Sequence, residues 1–375
     1  MISYLKGYNE FIKQFEMVGS NVVYLSHNNH FEQVSTGFSS LENNILTNSN
    51  SIYRIASISK VIVAIGVLKL VDEKMLDLDE DISNYLGFDI RNPYHPEDII
   101  TIRHLMTQTS SISDEGGFID GIYKGYDGAN STDDFIKIFD LLNPNSKHYY
   151  KTFTKSKPGE DFLYSNFGCG ILACIIEKVT GIYFPKYIKD VLLKPLGIYS
   201  GFRLEDLKYP ENLVSHYLYE NGKFVLYRDY DSFKKVQCLK YPLGENYRGV
   251  AGGLYISAYD LSKIMKMLMN KGLFENTRIL KEETVVEMEK VQWRGMPLDP
   301  TYKQKGLQMI IMDEFTNKPL KGHFGNAYGL RSFMLYNELG GIIFLCNGAN
   351  FITDEEHMTT LQRKIIEFLV KEIQL

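Results

Sequence analysis

Residues 61–70 carry apolar side chains round almost the whole circumference of a helix: Val61, Ile62, Val63, Ile65, Val67, Leu68 and Leu70 leave no face for water. Such a helix is stable only in the middle of a protein, with packed layers on several sides, so the chain must be long enough to surround it. At 375 residues it is long enough for two or three domains, or for one large fold in two parts. The longest apolar run, residues 61–68, falls far short of the roughly 20 residues that a membrane-spanning helix needs, which predicts no span.

Around this helix the periodicities are unevenly distributed. "NVVYLSHNNHFEQVSTGF" reads as two strands about the polar turn His27-Asn28-Asn29, ending near Gly37. Between Asp72 and Leu204 helical patterns and polar loops dominate, and strand signals return only in "GLQMIIMD", "RSFMLYN" and "GIIFLCNG". An opening helix has Leu5, Tyr8, Ile12 and Phe15 on one face, and a closing helix has Leu361, Ile365, Phe368 and Leu369. Strands at both ends with helices between them predict an α/β (α+β) fold: an antiparallel sheet flanked by the N- and C-terminal helices, plus an inserted all-helical domain. The expected division is 1–50 with 215–375 for the sheet and 51–214 for the helical part, with the active site at their interface.

Composition narrows the partners. The net charge of −5 and the lack of any basic run interleaved with aromatics exclude a nucleic-acid track. Cys169, Cys174, Cys238 and Cys346 form no CxxC and read as reduced core thiols, neither a disulfide framework nor a zinc site. The N-terminus lacks the unbroken apolar core of a signal peptide, which predicts a cytoplasmic protein. His27 and His30 are expected to be solvent-exposed turn residues, and the acidic run 77–81 a solvated loop.

The chemistry is carried by three separated pieces of sequence. In "RIASISKVI", Ser57 and Lys60 are three apart, one face of a helix, while Ser59 points elsewhere. Ser57 would lie near the helix N-terminus, whose partial positive charge favours an alkoxide. Ser-x-x-Lys also occurs at Ser3 to Lys6 and at Ser232 to Lys235, so spacing alone does not choose among them. In "KPGEDFLYSNFG", Tyr164 and Asn166 are two apart in an extended loop before a helix start, which points both side chains the same way. In "KGHFGNAYGL", His323 and Gly325 share a strand, glycine letting a ligand lie close to the backbone. Each has an ordinary competitor: Ser57 as a helix cap, Lys60 as a snorkelling surface residue, Tyr164 as packing, His323 as a satisfied strand histidine.

Taken in order, these motifs resemble the serine β-lactamase and penicillin-binding protein superfamily, in particular its class C β-lactamase-like branch with D,D-carboxypeptidases, D-aminopeptidases and related esterases. "TIRHLMTQTSSI" and "GVAGGLYISAYDLSKIM" are similar to further segments of that family. The resemblance implies that Ser57 is the acylated nucleophile, Lys60 its partner in proton transfer and Tyr164 the general base or relay, an isolated phenol being protonated at neutral pH. Asn166 would bond Lys60 or the substrate amide. The backbone N–H groups of Ser57 and Asn326 would form the oxyanion hole, each donor contributing about 3 kcal/mol. No metal or organic cofactor is implied. The departure is His323-Phe324-Gly325 where many members carry Lys-Thr-Gly or Lys-Ser-Gly, which removes a fixed cation and a hydroxyl from the expected carboxylate anchor.

The expected function is therefore a serine hydrolase acting through acyl-Ser57 on a small ester, amide or D-amino-acid-containing peptide. The alternatives are a penicillin-binding or sensor member that does not turn over, and a true β-lactamase or D,D-carboxypeptidase. The oligomeric state is not written in the sequence. Substrate choice is expected to rest with loops 114–130 and 217–248.

Overall fold

The computed structural model describes residues 4–114, 136–146, 148–236, 241–297, 299–327, 329–351 and 358–375. Its first elements are a short helix α1 (Tyr8–Ile12) and the strands β1 (Gly19–Ser26) and β2 (Phe31–Ser40). Asn29 takes the left-handed φ of 63° at the turn between them, a conformation that asparagine tolerates better than most residues. A short β3 (Ile45–Leu46) and β4 (Ile52–Arg54) lead to the long apolar helix α2 (Ser59–Asp72). Helices α3 (Ile82–Leu86), α4 (Ile102–Thr107) and α5 (Asn166–Thr180) follow, then the hairpin β5 (His216–Glu220) and β6 (Lys223–Arg228). Strand β7 (Tyr255–Ser257) pairs with β4 and runs into α6 (Ala258–Met269). The chain closes with a small hairpin β8 (Leu273–Phe274) and β9 (Thr277–Arg278), then β10 (Trp293–Arg294), β11 (Gln304–Gly306), β12 (Met309–Met312), β13 (Leu320–Ala327), β14 (Leu330–Tyr336), β15 (Gly340–Cys346) and helix α7 (Thr360–Ile373).

Nine strands form one antiparallel sheet in the order β10-β11-β12-β13-β14-β15-β1-β2-β3, so the two ends of the chain meet where β1 pairs with β15. Strands β14 and β15 are buried along their whole length; β15 is apolar throughout, whereas β14 also buries Arg331 and Ser332. One face packs Val22, Phe333 and Phe344 against Tyr8 and Ile12 of α1 and Leu361, Ile365 and Leu369 of α7. The other packs Met334, Ile343 and Leu345 into a core shared with α2, α5 and α6. In α2, Val61, Ile62, Ile65 and Leu68 are fully buried, so the helix lies in the centre, as its missing polar face demands. Truncating Ile62 to alanine there would cost about 2–5 kcal/mol.

Three expectations change. Residues 217–248 are not a plain loop: Asn221 (φ 51°) and Gly222 (φ 79°) make the turn of the β5–β6 hairpin, the two left-handed positions that an Asn-Gly pair supplies. The acidic run is anchored, because Asp81 caps α3 by accepting from Ser83 N at 2.9 Å and pairs with Arg91, while Asp79 pairs with Arg103 at 2.7 Å. His30 lies 2.7 Å from the Glu32 carboxylate, so it is tied down across its own strand start and not freely solvated. Cys169, Cys174 and Cys346 are free, buried thiols; Cys238 and residues 115–130 lie outside the described residues.

Candidate active site

The backbone delivers Ser57 through a bent approach. Ile55 N bonds Leu254 O at 2.9 Å, which fixes the end of β4, and Ala56 then takes φ 48° before the chain enters a single 3-10 turn at Ala56–Ile58. A left-handed alanine costs about 1–2 kcal/mol, strain that the surrounding packing must offset. The adjacent Ser59 is structural: its Oγ accepts from Leu254 N at 3.1 Å and it is fully buried.

Two donors converge on the Ser57 hydroxyl. Tyr164 Oη donates to Ser57 Oγ at 2.7 Å, and Lys60 Nζ donates to it at 3.0 Å. Lys60 is fully buried, and its ammonium also donates to Asn166 Oδ1 at 2.8 Å and to Ala251 O at 3.1 Å. Three acceptors thus match the three protons of an ammonium group. Its Nζ also lies 4.7 Å from the centroid of the Tyr164 ring. With both lone pairs of Ser57 Oγ engaged, the serine proton can leave only after one of the two donors has given up its own.

Asn166 and its neighbours Ser165 and Phe167 are held from behind by Asp114. One carboxylate oxygen accepts from Asn166 N at 2.8 Å and from Asn166 Nδ2 at 3.0 Å. The other accepts from Ser165 Oγ at 2.8 Å and from Phe167 N at 2.9 Å. Ser165 in turn caps α5, its Oγ accepting from Gly168 N at 2.8 Å. A carboxylate at the N-terminus of a 15-residue helix is also favourably placed for the helix dipole. Nothing in the sequence marks Asp114 for this task beyond its position at the start of a loop.

The third expected piece, β13, lies against the Ser57 turn. A Cβ on Gly325 would sit 2.4 Å from Ile55 O and 3.4 Å from Ile58 Cδ1, so only glycine permits this approach. His323 is fully buried; its Nδ1 donates to Phe324 O at 2.6 Å and its ring lies 6.4 Å from that of Tyr164. Asn326 is held by its side chain, whose Oδ1 accepts from Gln362 Nε2 at 2.7 Å. Beside Tyr164 stands an aromatic wall: Tyr302 at 5.4 Å, Phe162 stacked on Tyr302 at 4.8 Å, and Trp293 at 5.6 Å from Phe162. Trp293 Nε1 donates to Glu160 O at 2.6 Å, which fixes the indole on that wall. Burial holds the Tyr302 phenol well above its ordinary range, so it stays neutral.

The competing Ser232 sits in a different setting. Ser232 Oγ donates to Asp229 Oδ1 at 2.6 Å, a local turn contact, and Ser3 lies outside the described residues. Among the described residues no three His, Cys, Asp or Glu side chains are grouped as a metal ion would require.

A serine bonded to a lysine and a tyrosine, set where a large antiparallel sheet meets buried helices, defines a protein of the β-lactamase-like and penicillin-binding type. The chain belongs to the Beta-lactamase family, whose profile matches residues 11–367. Among curated relatives it is similar to "Penicillin-binding protein 4*" of Bacillus subtilis (28% identity over 186 residues, 49% of this chain and 38% of the relative). It is also similar to "Protein flp" of Staphylococcus aureus (26% over 201 residues, 53% and 38%). The matched region thus spans well under half of these relatives. Among solved structures, D-amino acid amidase from Ochrobactrum anthropi SV3 superposes with a TM-score of 0.73 at 18% identity, covering 99% of this chain and 98% of that one. The octameric penicillin-binding protein homologue from Pyrococcus abyssi gives 0.70 at 24% identity, covering 92% and 73%. At these identities the structural likenesses establish the fold. No single helix among the described residues is long and apolar enough to cross a membrane.

Proposed function

We propose that the protein is a serine hydrolase that cleaves a small ester or amide through a covalent acyl-Ser57 intermediate. The observation that carries this reading is the convergence of Tyr164 Oη and Lys60 Nζ on one serine oxygen, at 2.7 and 3.0 Å. In the acylation step Tyr164, having lost its proton beside the Lys60 ammonium, takes the Ser57 proton as Oγ attacks the carbonyl carbon. The backbone N–H groups of Ser57 and Asn326 receive the developing oxyanion. The proton then passes from Tyr164 to the departing alkoxide or amine. In the second step Tyr164 takes a proton from water as the water oxygen attacks the acyl carbon, then returns it to Ser57 Oγ as the acid departs. On this reading a sheet portion, residues 1–50 with 215–375, and a helical portion, residues 51–214, meet at the reacting groups.

The substrate class follows from the departure at β13. His323 donates one ring nitrogen to a backbone carbonyl, and Phe324 has no hydroxyl, so the anchor a β-lactam carboxylate would need is weaker than a lysine and threonine provide. That favours an esterase or amidase; one neighbour of the fold is named a D-amino acid amidase, and another, EstCE1, a hydrolase with promiscuous acyltransferase activity. The test is turnover of a p-nitrophenyl short-chain ester, nitrocefin and a fluorescent penicillin by wild type and Ser57→Ala, with intact mass followed in parallel. Continuous ester release that vanishes in the variant supports the hydrolase. A stable mass adduct without turnover supports a penicillin-binding sensor instead, and hydrolysis that survives Ser57→Ala refutes the choice of nucleophile.

A further inference from the structure

A second lysine stands behind the aromatic wall. Lys305, on β11, is fully buried, and among the described residues its Nζ has no hydrogen-bond partner. Its nearest ring neighbours are Tyr302, 5.3 Å from Nζ to the centroid, and Phe162, at 5.7 Å. Tyr302 is the ring that lies against Tyr164, and Phe162 precedes Tyr164 by two residues, so the amine abuts the proposed proton relay through one layer of side chain. Burying an amine with no acceptor is costly, and ring faces offset only part of that cost.

We propose that Lys305 is a positioning residue for the Ser57 chemistry: a buried amine without an acceptor among the described residues, it stays neutral behind the Tyr302 ring and leaves Lys60 as the ammonium that faces Ser57. The inference rests on the reading of Ser57, Lys60 and Tyr164 given above. Two positive charges in a poorly polarisable interior repel, so charge resides on the amine that is better solvated. Lys60 has three oxygen acceptors and Lys305 has none. Burial, reinforced by the Lys60 charge, pushes the Lys305 amine down to about 7, which agrees with that division.

The other charged groups on the elements packed against β11 are engaged elsewhere. On α4, Arg103 is held by Asp79, Glu287 and Gln292, and His104, lowered by burial, accepts from Thr101 N. On the helix Glu282–Glu289, Glu289 is bound by Lys271, Lys321 and Tyr336, Glu287 by Arg103, and Glu282 and Glu283 are exposed. On β10, Arg294 donates to Gln304 Oε1, and β12 carries no charged side chain. Asp299, ahead of Tyr302, caps Thr301 N. Lys60 is the charge that acts on Lys305.

Acidification below neutrality then places a second charge behind the Tyr302 ring, which repels the Lys60 ammonium and disturbs its contacts with Ser57 and Asn166. Wild-type kcat/KM for the p-nitrophenyl ester is expected to fall below about pH 7, roughly tenfold per pH unit at the limit. Lys305→Met, close in length and unable to titrate, is expected to lose this acid limb. Lys305→Arg, charged throughout, is expected to be depressed about tenfold or more even above pH 8. Side-chain amine NMR of Ser57→Ala protein, which needs no turnover, supplies a direct reading: one lysine Nζ titrating near pH 7 that is missing in Ser57→Ala/Lys305→Met. A Lys305 amine titrating near pH 10, or an acid limb that persists unshifted in Lys305→Met, overturns the proposal. Hydrolysis surviving in Ser57→Ala would instead overturn the underlying reading of the nucleophile.

Discussion

Asp114 grips Asn166 at two points with a single carboxylate oxygen, accepting from the backbone N–H at 2.8 Å and from the side-chain amide at 3.0 Å. The second contact turns the Asn166 amide so that its Oδ1 faces Lys60 Nζ, 2.8 Å away. An acidic residue 52 positions upstream therefore fixes which atom of Asn166 the lysine meets.

Asp114→Ala removes the acceptor for Asn166 N, Phe167 N and Ser165 Oγ at once. Each orphaned, partly buried donor costs about 1–3 kcal/mol, and the amide becomes free to rotate. The expected outcome is a lower melting temperature together with a fall in the ester-release rate of about 10- to 100-fold. Asp114→Asn, which keeps an acceptor oxygen, is expected to recover part of both. Stability lost with the catalytic rate untouched would show that the clamp does not position the reacting groups.

Tyr164→Phe keeps the ring against Tyr302 and below Lys60, and deletes only the hydroxyl that bonds Ser57. On the proposed mechanism kcat/KM falls by about 10²- to 10⁴-fold while thermal stability changes little. Pre-steady-state release of p-nitrophenol separates the two half-reactions, and both are expected to slow because the same phenol serves each. A drop of less than tenfold in acylation would leave Lys60 as the base.

Gly325→Ala places a methyl group 2.4 Å from the Ile55 carbonyl oxygen, and both partners are backbone with little room to yield. Relief requires β13 to move away from the segment that carries Ala56 and Ser57. Overpacking of this kind costs about 1–3 kcal/mol, and the displacement falls on the nucleophile and on the Asn326 amide together. Acylation is expected to slow more than tenfold, measured by single-turnover ester release, and the variant is expected to melt earlier. An active enzyme of wild-type rate would mean the strand spacing tolerates a side chain.

How much of this could be read in advance depended on distance along the chain. Ser57 with Lys60 and Tyr164 with Asn166 are legible because one helical turn and one extended step bring their side chains together without help from the rest of the fold. The antiparallel sheet joining the two ends was legible from long strands with clear patterns. Strands of two or three residues, such as β10 and β11, have no period to detect, and the wall that buries Lys305 depends on them. Asp114 works through two backbone N–H groups, which carry no sequence signature, and two side chains 51 and 52 positions away. From sequence, residues 217–248 are expected to be loops; Asn221-Gly222 is a hairpin-turn pair, but flanks rich in tyrosine and charge mask the strands it joins.

The last prediction concerns acid stability. His216 is buried beside Phe233, and neither ring nitrogen has a hydrogen-bond partner among the described residues. Burial, with Arg54 and Arg228 adding to it, pushes its imidazole down to about 3, against about 6.5 in an unfolded chain. Between those values the unfolded chain binds one more proton than the folded one, so stability rises with pH and is lost as pH falls from 6.5 towards 3. The slope approaches about 1.4 kcal/mol per pH unit below pH 6.5, which gives about 2 kcal/mol between pH 6.5 and 4.5. His216→Phe keeps an aromatic ring in contact with Phe233 and removes the proton. Urea unfolding at the two pH values is expected to show the variant losing about 2 kcal/mol less than wild type. Equal losses in the two proteins would mean that this imidazole finds a protonated form the folded interior accepts.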